Sequence, residues 1–372
     1  MIKAHESLVE KEITRLIKQK EDAVNHKDRR RFLEVIHPGM RTYIQEQKRW
    51  FDDAVRWIDR GSFRLKMISL IPGKEHQVRV WLEQQYSRKG KTTTVKFPLL
   101  FQETEKGWRD ADLPFYHIAR GDVLVHYSDE RLKEQALISL EAADRAVHGL
   151  ERQFGWHPAE RLEVKLYHSP EVFRQSIKLS LPDWAGGWHE AGQSVKLIGT
   201  AAVTDRKLLS SGIVHEVTHQ MISEMTGDNA AYWLQEGAAE YFQSHLLPGI
   251  RTEEEEAYVK PRWSLGRLET IHLESLPEKE AKAYYAECDQ FFRFLMEQYG
   301  VEKVKQLFAV LELSPAVDRD SGEKLPLINR RTRSAIRKVY GKSLEQLERD
   351  WIRSLKEEGG ARPKPSVDPS AD

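Results

Sequence analysis

Apolar residues recur at helical spacing from the beginning of the chain. Leu8, Ile13, Leu16, Ile17 and Val24 stand among charged neighbours, which predicts an amphipathic helix over about residues 5–25. A second helix is predicted over about residues 43–59. The period then shifts to two. Phe63, Leu65 and Met67, then Val78, Val80 and Leu82, then Val95, Phe97 and Leu99 alternate with polar residues, separated by the turn-forming segments PGK and RKGK. Two helices followed by an antiparallel meander make residues 1–115 a small α+β accessory domain.

A break at Leu113 and Pro114 and a loop running to Gly121 precede a new pattern. Val123, Val125 and Tyr127 predict a strand, and the stripe Leu137, Leu140, Ala143, Val147 and Leu150 predicts a long helix over about 130–154. Leu162, Val164 and Leu166 alternate as a strand, after which Ser169, Pro170 and Glu171 supply an N-cap, a first-turn proline and an early acid for a short helix. The loop DWAGGWHEAGQ leads to a strand over 194–198 and then a helix over 205–226, which Gly227 stops. Helices are predicted beyond it at 231–246, 280–299, 301–312, 330–339 and 343–357, with the acidic run EEEE at 253–256 between the first two. This gives a second domain over 121–357. The closing GGARPKPSVDPSAD has no apolar period, so residues 358–372 are expected to be a disordered tail.

At 372 residues the length fits two or three domains. The 58 Lys and Arg balance the 58 Asp and Glu, so no net field draws the chain to nucleic acid. No apolar run is long enough to span a bilayer, and the opening MIKAHESLVEKEI lacks the apolar stretch of a signal peptide. The chain as written is expected to be soluble and cytoplasmic, or exported or anchored if a leader precedes it; oligomeric state stays open. The single cysteine, Cys288, rules out intramolecular disulfides and thiolate metal clusters, so any metal site must use His, Asp and Glu.

Such a set lies in the helix over 205–226, where His215, Glu216, Val217, Thr218 and His219 spell H-E-x-x-H. A spacing of four puts the two imidazoles on one helical face, where they can share a metal ion, and turns Glu216 about 100° aside, where it can reach a water on that ion. Zinc suits this geometry. A hydrolytic zinc site needs a third protein ligand and an open position. The segment Trp233-Leu234-Gln235-Glu236-Gly237-Ala238-Ala239-Glu240-Tyr241 offers Glu236 on the following helix, brought back by a short connection. Glu240, one turn on, can accept the free ring N–H of a ligand histidine and fix its tautomer.

Together these segments resemble the gluzincin zinc metallopeptidases, the clan of thermolysin and aminopeptidase N, and especially the peptidase MA-like families. The resemblance spans about residues 121–345. It implies His215, His219 and Glu236 as ligands of one catalytic Zn2+, Glu216 as general base and Glu240 behind the ligands. It also implies a tyrosine at the start of a downstream helix as oxyanion donor. The apolar pattern aligns Tyr285 with that position, and Tyr284 is the alternative. Gluzincins bind peptide along an edge strand before the H-E-x-x-H helix, a place occupied here by Gly186 to Glu190 and the strand after them. Gly187 and Glu190 are therefore candidate substrate contacts, although the Met and Asn of the aminopeptidase motif are missing. In residues 1–115 the order of elements resembles the cone-shaped folds of nuclear transport factor 2 and SnoaL. The implied fold is α+β, with a helix-plus-antiparallel-sheet domain preceding a gluzincin-type domain of small sheet and helical C-terminal part. The implied activity is hydrolysis of peptide bonds in a peptide or protein substrate. Two alternatives stay open: a zinc hydrolase of non-peptide amides or esters, and a non-catalytic, partner-binding module on the same fold.

Overall fold

The computed structural model describes residues 2–74, 76–199, 205–247, 261–317 and 323–361. By its contacts the chain divides into two compact units, Met1–Asp144 with Glu160–Ile213, and Arg145–Ala159 with Val214–Asp372.

The first unit opens with helices α1 (Ile2–His26), α2 (Arg29–Leu33) and α3 (Arg41–Trp57). Strands β1 (Arg64–Pro72), β2 (Gln77–Arg88), β3 (Lys91–Thr104) and β4 (Gly107–Asp110) follow and form an antiparallel sheet in the order β1-β2-β3-β4. The alternation read from the sequence sets the pairing. Val78, Val80 and Leu82 of β2 and Phe97, Leu99 and Phe101 of β3 point inward against Ile13, Leu16 and Ile17 of α1. A second sheet holds β5 (Tyr116–Arg120), β6 (Val123–Tyr127), β7 (Leu162–Tyr167), β8 (Gly187–Trp188) and β9 (Val195–Ile198) in the order β5-β6-β7-β9-β8. Its central strands β6, β7 and β9 are parallel. Parallel neighbours need long crossovers, supplied by helices α4 (Lys133–Phe154) and α5 (Pro170–Ile177). Ser169 caps α5 as its sequence predicts, its hydroxyl accepting from the Val172 amide.

Residues 115–121 lie inside this unit. Phe173, Ile177 and Leu181 share one core with α1, β2 and β3. Lys165 of β7 forms 2.5 Å ion pairs with both Glu46 of α3 and Asp112.

Several details differ from the sequence pattern, among them α11, which begins at Lys324 and not near 330. On α4 the inward positions are Ala136, Leu140, Ala143, Val147 and Leu150, whereas Leu137 is 46% exposed. Strand β5 forms where only a loop is expected, on the antiparallel edge of β6. The strand before the H-E-x-x-H helix, β9, is not an edge: it lies between β7 and β8, and the two-residue β8 forms that edge of the sheet.

Helix α6 (Arg206–Thr226) passes from the first unit into the second, which continues as α7 (Tyr232–Leu246), α8 (Leu265–Leu268), α9 (Glu278–Tyr299), α10 (Val301–Glu312), α11 (Lys324–Tyr340) and α12 (Leu344–Ala361). Trp233, Phe242, Phe291, Phe292 and Trp351 are fully enclosed. Helix α12 extends through the first residues of the expected tail, and both 362–372 and the acidic run at 253–256 lie outside the described residues. No helix among the described residues is long and apolar enough to cross a membrane.

Candidate metal centre

Helix α6 ends where Gly227 and Asp228 both adopt positive φ, at 57° and 60°. The buried Asn229 side chain then donates to the carbonyls of Thr226, Leu311 and Ser314, pinning the turn to the end of α10. The Ala231 amide at the start of α7 donates to the Thr332 hydroxyl of α11, 2.8 Å away. Two helices leave this pinned turn, and their facing side chains meet.

His215 and His219, one turn apart on α6, bring their Nε2 atoms to 3.1 Å. Glu236 of α7 puts its Oε2 atom 3.4 Å from His215 Nε2 and 3.2 Å from His219 Nε2. Four-coordinate binding with bonds of about 2.0–2.1 Å separates neighbouring donors by about 3.3 Å. The three observed separations match one face of such a tetrahedron. Glu236 Oε2 is buried yet makes no hydrogen bond, despite two ring nitrogens close by. An acceptor oxygen and two ring nitrogens converging in this way are a donor set of the kind that can hold a divalent cation. It is the one grouping of three His, Cys, Asp or Glu side chains among the described residues that could hold a metal ion.

The surrounding charges are consistent with that use. Glu240 Oε1 lies 3.2 Å from His215 Nδ1 on the far side of the ring, so Nδ1–H can donate to the carboxylate and leave Nε2 free to ligate. Burial works against a charged His215, but the carboxylates of Glu236, Glu240 and Glu216 outweigh it and hold the imidazole pKa well above its ordinary value. Burial likewise opposes the Glu236 carboxylate, and the two histidines outweigh it, bringing the pKa down to about 2. Glu216 is itself buried, and its negative charge acts on both His215 and Tyr285.

Of the two candidate tyrosines near the start of α9, Tyr284 is fully buried. Tyr285 is half-buried and turns its ring edge-on to His215, with centroids 5.9 Å apart. Burial, then the charges of Glu236, Glu216 and Glu240, push its pKa well above 10, so its hydroxyl keeps its proton and can donate. Cys288 is raised by burial and by Glu236 and stays a thiol. His215, Glu216, His219, Glu236, Glu240 and Tyr285 thus belong to one neighbourhood in the second unit.

Gly187 and Glu190 belong to the first unit. Gly187 pairs with Leu197 across β8 and β9. The Glu190 carboxylate is 3.2 Å from Arg49 Nε and accepts from Trp188 Nε1 at 3.3 Å.

One site feature is missed in the sequence. A Cβ built on Gly237, directly after Glu236, would stand 2.3 Å from the Cys288 carbonyl oxygen and 3.0 Å from Phe292 Cβ. Helices α7 and α9 touch there backbone to backbone. A glycine inside a helical run of good helix formers was the available signal.

A family model described as "Peptidase MA superfamily" matches residues 142–357, more than half of the chain. No curated protein matches the sequence. Among solved structures the chain is similar to native yeast LTA4 hydrolase, with 12% identity and a TM-score of 0.39 over 83% of this chain and 46% of that one. Yeast LTA4 hydrolase in complex with bestatin is similar at 10% identity and a TM-score of 0.39, over 83% of this chain and 62% of that one. The chain thus spans between about half and three fifths of the length of these structures.

Proposed function

Since the chain belongs to the peptidase MA superfamily, we propose that it is a zinc-dependent peptidase in which His215, His219 and Glu236 hold the metal and Glu216 is the general base. The observation that carries this reading is the triangle of donor atoms with edges of 3.1, 3.2 and 3.4 Å, of the size that a zinc ion with one open position requires. When bound, zinc supplies Lewis acidity, which polarises a carbonyl oxygen and acidifies water to a pKa of roughly 7.

This chain's own residues do the rest. Glu216, a buried carboxylate beside the ligands, takes the proton of the attacking water and passes it to the leaving amine. Tyr285, protonated and edge-on to His215, donates its hydroxyl to the oxygen that gains charge as the carbonyl carbon becomes tetrahedral. Glu240 fixes the ring of His215 through Nδ1. The substrate is a peptide or protein.

The test is Glu216→Gln, which removes the base and keeps the shape. Hydrolysis of a panel of unrelated peptides, amides and esters is measured with metal content on the same samples. The proposal expects kcat on peptides to fall by about 10²–10⁴-fold with metal retained. Full activity in the Gln variant would remove Glu216 from the mechanism, and turnover of esters or simple amides alone would replace a peptidase by another zinc hydrolase.

A further inference from the structure

Glycine is the poorest helix former after proline, yet Gly237 sits in the first half of α7 among Ala238, Ala239 and other good helix formers. Its φ is not in the left-handed region, so no backbone conformation demands it. What demands it is space. An added Cβ would meet the Cys288 carbonyl oxygen at 2.3 Å and its carbon at 2.8 Å, and these are backbone atoms that no rotamer change can move aside. Accommodating a methyl group means moving one helix away from the other.

The place of this contact gives it a consequence. On α7, Gly237 directly follows Glu236, whose oxygen faces both histidines. On α9, Cys288 lies one turn after Tyr285, whose ring stands edge-on to His215 at 5.9 Å. We infer that Gly237 is a positioning residue: by letting α9 approach the backbone of α7, it sets the distance between the Tyr285 hydroxyl and the atoms around Glu236. This rests on the zinc peptidase reading above, in which Tyr285 serves the oxyanion. Glu236 faces two α6 histidines at 3.4 and 3.2 Å, whereas Tyr285 meets α6 through its looser ring contact with His215 at 5.9 Å between centroids, so the displacement on widening the gap falls on Tyr285. A misplacement of about 1 Å in a positioning element can cost about 10²-fold in rate.

The same interface offers a control. Phe292, one turn beyond Cys288, packs its ring on Tyr241 and Phe242 of α7 at 5.5 and 6.1 Å. Truncating it removes this ring packing and leaves the backbone approach of Gly237 to Cys288 in place, with no atom added to it.

The experiment compares wild type, Gly237→Ala, Tyr285→Phe, the double variant and Phe292→Ala. It measures kcat and KM on a cleaved peptide, the melting midpoint, and the visible absorption of the cobalt(II)-substituted proteins, which reports the metal ligands without turnover. Tyr285→Phe should lower kcat by about 10²-fold. Gly237→Ala should lower kcat by a similar factor, with KM and the cobalt spectrum little changed, and the double variant should be no slower than Tyr285→Phe alone. Phe292→Ala should lower the melting midpoint and keep kcat within about threefold.

Four results would overturn the inference. In the first, Gly237→Ala keeps wild-type kcat. In the second, its loss multiplies with that of Tyr285→Phe. In the third, the cobalt spectrum collapses, placing the displacement on Glu236. In the fourth, which applies even if Gly237→Ala does not fold, Phe292→Ala loses kcat a hundredfold. A wild type that cleaves no peptide removes the peptidase reading and this inference with it, whereas an active wild type with an unimpaired Gly237→Ala removes the inference alone.

Discussion

Glu46 belongs to a buried cluster of charges in the first unit, and replacing it by glutamine makes a quantitative test. Its carboxylate, 4% exposed on α3, lies 2.5 Å from Lys165 Nζ of β7 and 3.2 Å from Lys196 Nζ of β9, and accepts from the Ser194 hydroxyl at 2.5 Å. Burial alone would raise its pKa, but the two ammonium groups outweigh burial and bring it from 4.5 down to about 2. At about 1.4 kcal/mol per pH unit, a shift of this size corresponds to about 3 kcal/mol of folding stability. Breaking a buried ion pair by removing one partner typically costs about 3–5 kcal/mol, which agrees. Asp112 still pairs with Lys165 in the variant, which places the expected loss toward the lower figure. The sign follows from the depressed folded pKa: the stabilisation is present above the unfolded value of 4.5 and is lost as the pH falls toward 2. Urea unfolding of both proteins across this range measures it. At pH 7, Glu46→Gln should be less stable by about 3 kcal/mol, with the gap closing between about pH 4.5 and 2. A gap below about 1 kcal/mol at pH 7, or one that does not change with pH, would refute the reasoning, because the cluster would then be no more than a solvated surface pair.

Glu240→Gln should weaken metal binding by about 10–100-fold, measured by competition with a chromophoric chelator, because His215 loses the carboxylate that orients it; unchanged affinity would leave Glu240 without that role. Ser169→Ala should cost about 1 kcal/mol in urea unfolding, the worth of the N-cap to the Val172 amide, and a loss above about 3 kcal/mol would show that more than a cap was removed.

How much of this was legible in the sequence depended on how far apart the interacting residues lie. The H-E-x-x-H spacing needs only one helical turn, and Glu236 needs only one helix after it, so local periodicity carries the whole donor set. Strand β5 escaped notice because four of its five residues are exposed, so it has no buried face to impose an apolar alternation. On α4 the inward row begins with Ala136, and the larger Leu137 beside it drew the first position of the stripe one residue off, although it faces solvent. Lys165 reads as an outward polar residue between Val164 and Leu166, yet it is buried, because its partner Glu46 lies 119 positions away and strand periodicity cannot see it. Gly237 is similar: its reason is the Cys288 carbonyl on another helix. Residues whose environment is built by distant chain are the ones that pattern alone misplaces.

The most direct test of the account is the metal itself. Zinc content of the purified chain, combined with X-ray absorption at the zinc edge, should show one ion per chain bound by two imidazole nitrogens and a carboxylate oxygen at about 2.0–2.1 Å. The ion should be lost in the double variant His215→Ala/His219→Ala. A protein that takes up no zinc, or one whose zinc spectrum is unchanged in that double variant, would contradict the central claim that these three side chains form a catalytic metal centre.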